Sequence, residues 1–238
     1  IDYLTYGGIY RDVSIDIYEP VHIKNARAIC SDPLALEKKL DVTVFTGNAG
    51  AEREAILRMT LHDKSGNKIA SSDCAVMVPS GDSRHSVCLS LIRGASLWSL
   101  DAPNLYMLDC ELVADAAVDR FSTKIGFRSA EFRADGFFLN GERVQLRGLN
   151  RHQSWPYVGY AMPRRAQEKD ADILKDELHV NIVRTSHYPQ SIDFLNRCDE
   201  IGLLVFEEIP GWQHIGPDSW KDIAVANVGE MITRDWNH

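Results

Sequence analysis

The sequence predicts a multidomain β and α/β chain, in which an antiparallel β-sandwich is followed by a parallel sheet built from β-α units. Three observations predict it. Up to about Phe132 apolar residues alternate with polar ones; beyond it they fall at helical spacing between short, continuously apolar runs; and polar residues cluster where those runs end.

In the first part the alternating sets are Val13, Ile15 and Ile17; Leu40, Val42 and Val44; Leu57, Met59 and Leu61; Val87, Leu89 and Leu91; and Phe121, Thr123, Ile125 and Phe127. Each set suits a strand with one buried and one wet face. Turn-forming clusters separate them: Gly47-Asn48-Ala49-Gly50, Asp63-Lys64-Ser65-Gly66-Asn67 and Pro79-Ser80-Gly81-Asp82. Short strands at this spacing, with no helical pattern between them, predict a sandwich over residues 19–129 with a structural role.

The second part begins with a short strand over 144–149 and a helix opened by Pro163, whose stripe is Ala171, Leu174 and Leu178. Residues 181–184 read as a buried strand, and Phe194, Leu195, Cys198 and Ile201 make a helical stripe ended by Gly202. A third strand over 203–206 and a third helix over 219–236 complete the pattern. Successive β-α units predict a parallel sheet, either doubly wound or the opening of an eight-fold barrel.

Composition bounds the function. The chain has 238 residues, 45% apolar and 25% charged, which argues for a folded core. No apolar run is long enough for a membrane helix, so no membrane partner is expected. The net charge is −8, from 26 basic and 34 acidic residues without a basic run, and nucleic acid is not an expected partner. The cysteines Cys30, Cys74, Cys88, Cys110 and Cys198 lack metal or disulfide spacing and read as small buried apolar residues. The chain opens on Ile1 without a leader and halts just past a helix, which reads as an excerpt of a longer protein.

The chemistry-bearing residues lie after the three apolar runs: Asn150-Arg151-His152, then Arg184-Thr185-Ser186-His187, then Glu207-Glu208. Ligand sites of parallel α/β folds sit at the carboxyl ends of strands, so His152, His187, Arg184 and Glu208 are expected to share one mouth. Imidazoles that donate or accept, a guanidinium and a carboxylate suit a hydroxyl-rich ligand. Trp155, Tyr157, Tyr160 and Trp212 add aromatic faces on which sugar C–H faces stack. Glu207 reads as structural, as do Trp98, Trp220 and Trp236. His22, His62, His85 and His179 read as surface residues. A metal site from His152, His187, Glu208 and His214 lacks ligand spacing, Ser186 lacks a nucleophile elbow, and the glycines lack a phosphate cradle. No metal and no cofactor are expected.

Taken in order, Gly7-Gly8-Ile9-Tyr10-Arg11-Asp12-Val13, Leu97-Trp98-Ser99 with Pro103-Asn104-Leu105-Tyr106, Ile125-Gly126-Phe127-Arg128, Leu139-Asn140-Gly141, Arg147-Gly148-Leu149-Asn150-Arg151-His152 and Arg184-Thr185-Ser186-His187-Tyr188-Pro189 resemble glycoside hydrolase family 2. The resemblance spans essentially the whole chain. It implies the last strands of a jelly-roll sugar-binding domain over 1–18, an immunoglobulin-like β-sandwich over 19–129, and the first part of a TIM (β/α)8 barrel over 130–238. It also implies retaining hydrolysis of terminal β-linked sugars, with β-galactosides ahead of β-glucuronides and β-mannosides.

Carried over by position, His152 and His187 resemble residues that bind the sugar beside the cleaved bond, and Arg184 resembles the residue that orients the nucleophile. Asn150, Glu208 and Trp212 complete the implied substrate set. Retention needs two carboxyl groups about 5 Å apart. The family's acid/base follows an asparagine, which neither Glu207 nor Glu208 does, so no catalytic residue is expected here and the chain is expected to be inactive. Trp212 stands where the magnesium-dependent members carry a glutamate, and His214 alone cannot replace that site. A stand-alone carbohydrate-binding or assembly module is the competing reading. An open sheet exposing Leu146, Ile182, Val183 and Val205 is expected to favour a homodimer or disorder after about Phe132.

Overall fold

A computed structural model describes residues 6–238. It divides into two compact units. One runs from Ile15 to Val144 with Asn237; the other holds Gln145–Trp236, His238 and the described residues up to Ser14.

The first unit contains β1 (Val21–Cys30), β2 (Glu37–Asn48), β3 (Arg53–His62), β4 (Lys68–Val78), β5 (Gly81–Arg93), β6 (Tyr106–Ala114) and β7 (Ala117–Ile125). They form two antiparallel sheets, ordered β1-β2-β5 and β4-β3-β6-β7. Alternation puts Leu40, Val42 and Val44 on the core side of one sheet, and Leu57, Met59, Leu61, Leu108 and Leu112 on that of the other. Each such side chain contributes about 1.5–3 kcal/mol by leaving water. A small meander of β8 (Ala130–Arg133), β9 (Gly136–Leu139) and β10 (Glu142–Val144) follows.

Several expectations change here. Leu91 is 66% exposed, because Ser90 and Leu91 stand opposite Lys39 alone in a bulge between the Leu40↔Leu89 and Lys38↔Ile92 pairs. Ile92, fully buried, takes the core place instead. Val13, Ile15 and Ile17 are exposed, and no described strand pairs with them. Their alternation fits a strand, but a strand forms only where a neighbour takes its backbone groups. Of the residues assigned to the jelly roll, 1–18, those at 6–18 form no strand and 1–5 lie outside the described residues. Cys30, Cys74 and Cys88 are half-buried; only Cys110 and Cys198 match the buried reading, and all five thiols are free. Among the surface histidines, His22 stacks on Tyr18, His62 pairs with Asp109 at 3.0 Å, and His85 contacts Thr46 at 3.1 Å, all half-buried.

In the second unit β11 (Gly148–Arg151), β12 (Ile182–Thr185) and β13 (Leu204–Phe206) form a parallel sheet in that order. The strand expected over 144–149 is thus split between β10 and β11. No side chain fits at Gly148, where a Cβ would lie 2.2 Å from the Ile182 carbonyl oxygen. Helix α1 (Arg164–Asp172) runs into a π-helical turn, Ile173–Glu177, and α2 (Ile192–Ile201) starts at Ser191, whose side chain accepts from the Asp193 amide. Gly202, at φ 72°, ends α2 in the left-handed conformation glycine favours.

The π-helical turn explains Leu178. Its extra residue rotates the phase, so Ala171 and Leu174 are buried while Leu178 is exposed. Helix α3 (Asp218–Asp235) closes the unit. The core is Ala171, Leu174, Val183, Phe194, Leu195, Cys198 and Leu203. Val183 is therefore fully buried rather than part of an exposed sheet face, and Leu146, Ile182 and Val205 are half-buried. Exposed apolar side chains of the unit include Leu149, Phe206 and, on α3, Ile223, Val225, Val228 and Ile232. Among the described residues no helix is long and apolar enough to cross a membrane.

Candidate sugar-binding wall

Strand alternation decides which polar residue faces where. Asn150 and Arg184 stand in register with Phe206 on one side of the parallel sheet; Arg151 and Thr185 stand in register on the other. Arg151, 5% exposed, reaches α1 and the chain before α2. Its guanidinium bonds Asp170 at 2.5 Å and Gln167 at 2.8 Å, also bonds Gln190, and lies 3.9 Å from the Phe194 ring centroid. The Arg151 carbonyl accepts from the Ser186 amide at 3.0 Å. Arg151 thus ties the turns bearing His152 and His187 to the helices.

On the opposite side the expected residues meet. Glu208 Oε1 accepts from His187 Nδ1 at 3.0 Å, and Glu208 Oε2 lies 2.7 Å from Arg184 Nε in an ion pair. The Glu208 amide donates to the hydroxyl of the fully buried Thr185 at 3.1 Å, which fixes the end of β13 against β12. His187 is buried. Its ring stacks on Trp212, with centroids 4.6 Å apart and planes 11° apart, and meets His152 edge-on at 5.2 Å. With Nδ1–H donating to Glu208, neutral His187 has its lone pair on Nε2. Trp212 remains 43% exposed, leaving indole surface for a C–H face. Asn150 is exposed beside Arg184.

The structure therefore brings together His152, His187, Arg184, Glu208 and Trp212, with Asn150 beside them on the strand. Tyr160 departs from expectation: it is buried against Tyr6, Tyr10 and Tyr188. Tyr157 is fully exposed in the same loop, where Trp155 and Gly159 bridge. Arg11 donates to Gln153 and to the Pro189 carbonyl, both at 2.9 Å, and burial lowers its pKa. Glu207 turns toward α3, where its pKa is pushed up to about 7 by burial and by the neighbouring Asp235. His214 packs edge-on against Trp220. Among the described residues no group of three or more His, Cys, Asp or Glu side chains is placed to hold a metal ion.

Chemically this is a wall of hydrogen-bonding groups with little net charge. The guanidinium of Arg184 is matched by the Glu208 carboxylate, and the imidazoles can serve hydroxyls as donor or acceptor. Sequence reasoning missed Arg151 and Thr185, which hold the wall without belonging to it. The period-two alternation on either side of Asn150 and Arg184 was the signal that could have separated them.

Comparison with known proteins sets this geometry in context. Residues 21–128 match the family model "Glycosyl hydrolases family 2", and residues 130–238 match "Glycosyl hydrolases family 2, TIM barrel domain". A β-galactosidase of Thermoanaerobacterium thermosulfurigenes is 51% identical over 239 aligned residues, covering all of this chain and 33% of that protein. A putative β-glucuronidase of Formosa agariphila is 31% identical, covering all of this chain and 28% of its own length. A crystal structure of a glycosyl hydrolase family 2 member from Bacteroides cellulosilyticus superposes with a TM-score of 0.84 at 26% identity, over 92% of this chain and 30% of that one. The chain spans about a third of the length of the curated relatives it matches.

Proposed function

From the premise that the chain belongs to glycosyl hydrolase family 2, as a sandwich followed by the start of a TIM barrel, we propose that it carries part of the sugar-binding wall of a retaining β-galactosidase. The observation that carries the choice of sugar is the matched Arg184–Glu208 pair. Among the described residues it leaves Arg184 balanced by a carboxylate rather than open to a uronate, and the wall suited to a neutral polyol. In this reading His152 and His187 bind ring hydroxyls, with Asn150 and Arg184 beside them, and Trp212 offers its exposed indole to the sugar's apolar face. Glu208 holds His187 and Arg184 in place.

Hydrolysis with retention asks for two carboxyl groups facing each other across one bond, about 5 Å apart. Glu207 and Glu208 are successive residues, with Glu208 engaged by Arg184 and His187 and Glu207 by Arg234 of α3. That arrangement supports a binding role for this chain and no hydrolysis by it alone.

The test is a titration of the chain with galactose and, separately, glucuronate, read from the imidazole NMR signals of His152 and His187. Galactose should shift both signals with an affinity on the order of millimolar, and glucuronate should bind more weakly. Tighter binding of glucuronate would move the reading to a β-glucuronidase. Shifts confined to the sandwich, or hydrolysis of an aryl β-galactoside by the pure chain, would contradict it.

A further inference from the structure

Next to the sugar-facing wall the chain carries a second carboxyl site with a different character. Glu207, just before Glu208, lies against the last turn of α3, with its side chain 17% exposed and that of Asp235 6% exposed. One guanidinium serves both. Arg234 holds Asp235 with two bonds, Nε to Oδ1 at 2.7 Å and Nη2 to Oδ2 at 2.6 Å, while its Nη2 stands 3.5 Å from Glu207 Oε1. Glu207 Oε1 is buried and makes no hydrogen bond among the described residues. Arg234 therefore holds Asp235 more closely than Glu207, and two carboxylates against one cation in a partly dry site resist ionising together.

We propose that Glu207 keeps its proton against Asp235 in weakly acidic solution, forming a pH-sensitive latch that holds the last turn of α3 to the carboxyl end of β13. As the pH rises through neutrality the proton passes to water, the carboxylates repel, and the helix end loosens from the strand end that carries Glu208.

The charges around Glu207 agree. From α3 it faces Asp235 and Arg234, and beyond the helix His238, whose Nδ1 lies 2.6 Å from Asp199 of α2. On its own segment Glu208 is already matched by Arg184 and His187. Burial and Asp235 together raise Glu207 from 4.5 to about 7. A carboxyl whose folded pKa is raised contributes stability that is complete below its unfolded value and lost as the pH climbs through its folded one. The window therefore runs from about 4.5 to about 7.

The experiment is a carboxyl ¹³C NMR titration of the whole chain, with hydrogen-exchange protection of the Arg234, Asp235 and Trp236 amides followed over the same range. One carboxyl midpoint near 7 is expected, absent in Glu207→Gln. Protection of those amides should fall about tenfold between about pH 6 and about pH 8 in the natural chain and stay level in the variant. A Glu207 midpoint in the ordinary glutamate range, or a variant with the same pH response, would overturn the proposal. Should Glu207→Gln fail to fold, Asp235→Asn should release Arg234 to Glu207 and drop its midpoint; an unchanged midpoint would equally overturn it.

Discussion

The sandwich and the β-α unit bury their apolar surface in different ways. In the sandwich, facing strands alternate in phase, so Leu57, Met59, Leu61 and Leu108 are completely covered. The β-α unit closes one side of its sheet over Val183 with Ala171 of α1 and Phe194 and Leu195 of α2, and gives the other side to Asn150, Arg184 and Phe206. Stability in the first region comes from hydrophobic area. In the second it depends on a buried polar anchor, because the side that would otherwise be core is kept for hydrogen-bonding groups.

That contrast can be broken by single substitutions. The largest effect is expected from Arg151→Ala, which strands Asp170, Gln167 and Gln190 and removes the guanidinium that joins β11 to α1 and to the chain before α2. It should cost about 3–5 kcal/mol and act on the β-α unit, as chemical denaturation with a tryptophan probe in each region would report. Leu108→Ala should cost about 2–5 kcal/mol and act on the sandwich. Were Arg151→Ala to leave the β-α unit as stable as before, or Leu108→Ala the sandwich, the contrast between polar anchor and hydrophobic area would be contradicted. A smaller effect, about 1–3 kcal/mol, is expected from Glu208→Leu, which leaves His187 Nδ1 and Arg184 without their acceptor. Smallest is Asn150→Ala, within about 0.5 kcal/mol for stability because the residue is exposed, yet weakening galactose binding in the same titration.

The two regions were also unequally legible in the sequence. Alternation exposed Leu40-Val42-Val44 and Leu57-Met59-Leu61, and could have exposed Tyr106, Leu108, Cys110 and Leu112, whose period is as regular. It failed where the backbone broke period, at the Leu91 bulge and at the π-helical turn before Leu178. It also failed at Val13, Ile15 and Ile17, where a strand-like pattern has no pairing partner among the described residues. In the β-α unit the strand ends were visible as polar clusters, and Gly202 marked its helix end faithfully. What could not be read was the division of labour within a cluster. Arg151 sits between Asn150 and His152 in sequence and faces away from Asn150 on the strand, toward Asp170, Gln167 and Gln190. Those partners are distant in sequence, and only the folded sheet brings them together.

The central proposal is that three strand ends present one sugar-binding wall. A crystal structure of the chain soaked in galactose tests it most directly. The sugar is expected against His152, His187 and Trp212, with Arg184 and Glu208 still paired. Galactose seated elsewhere, with those side chains untouched, would contradict the account.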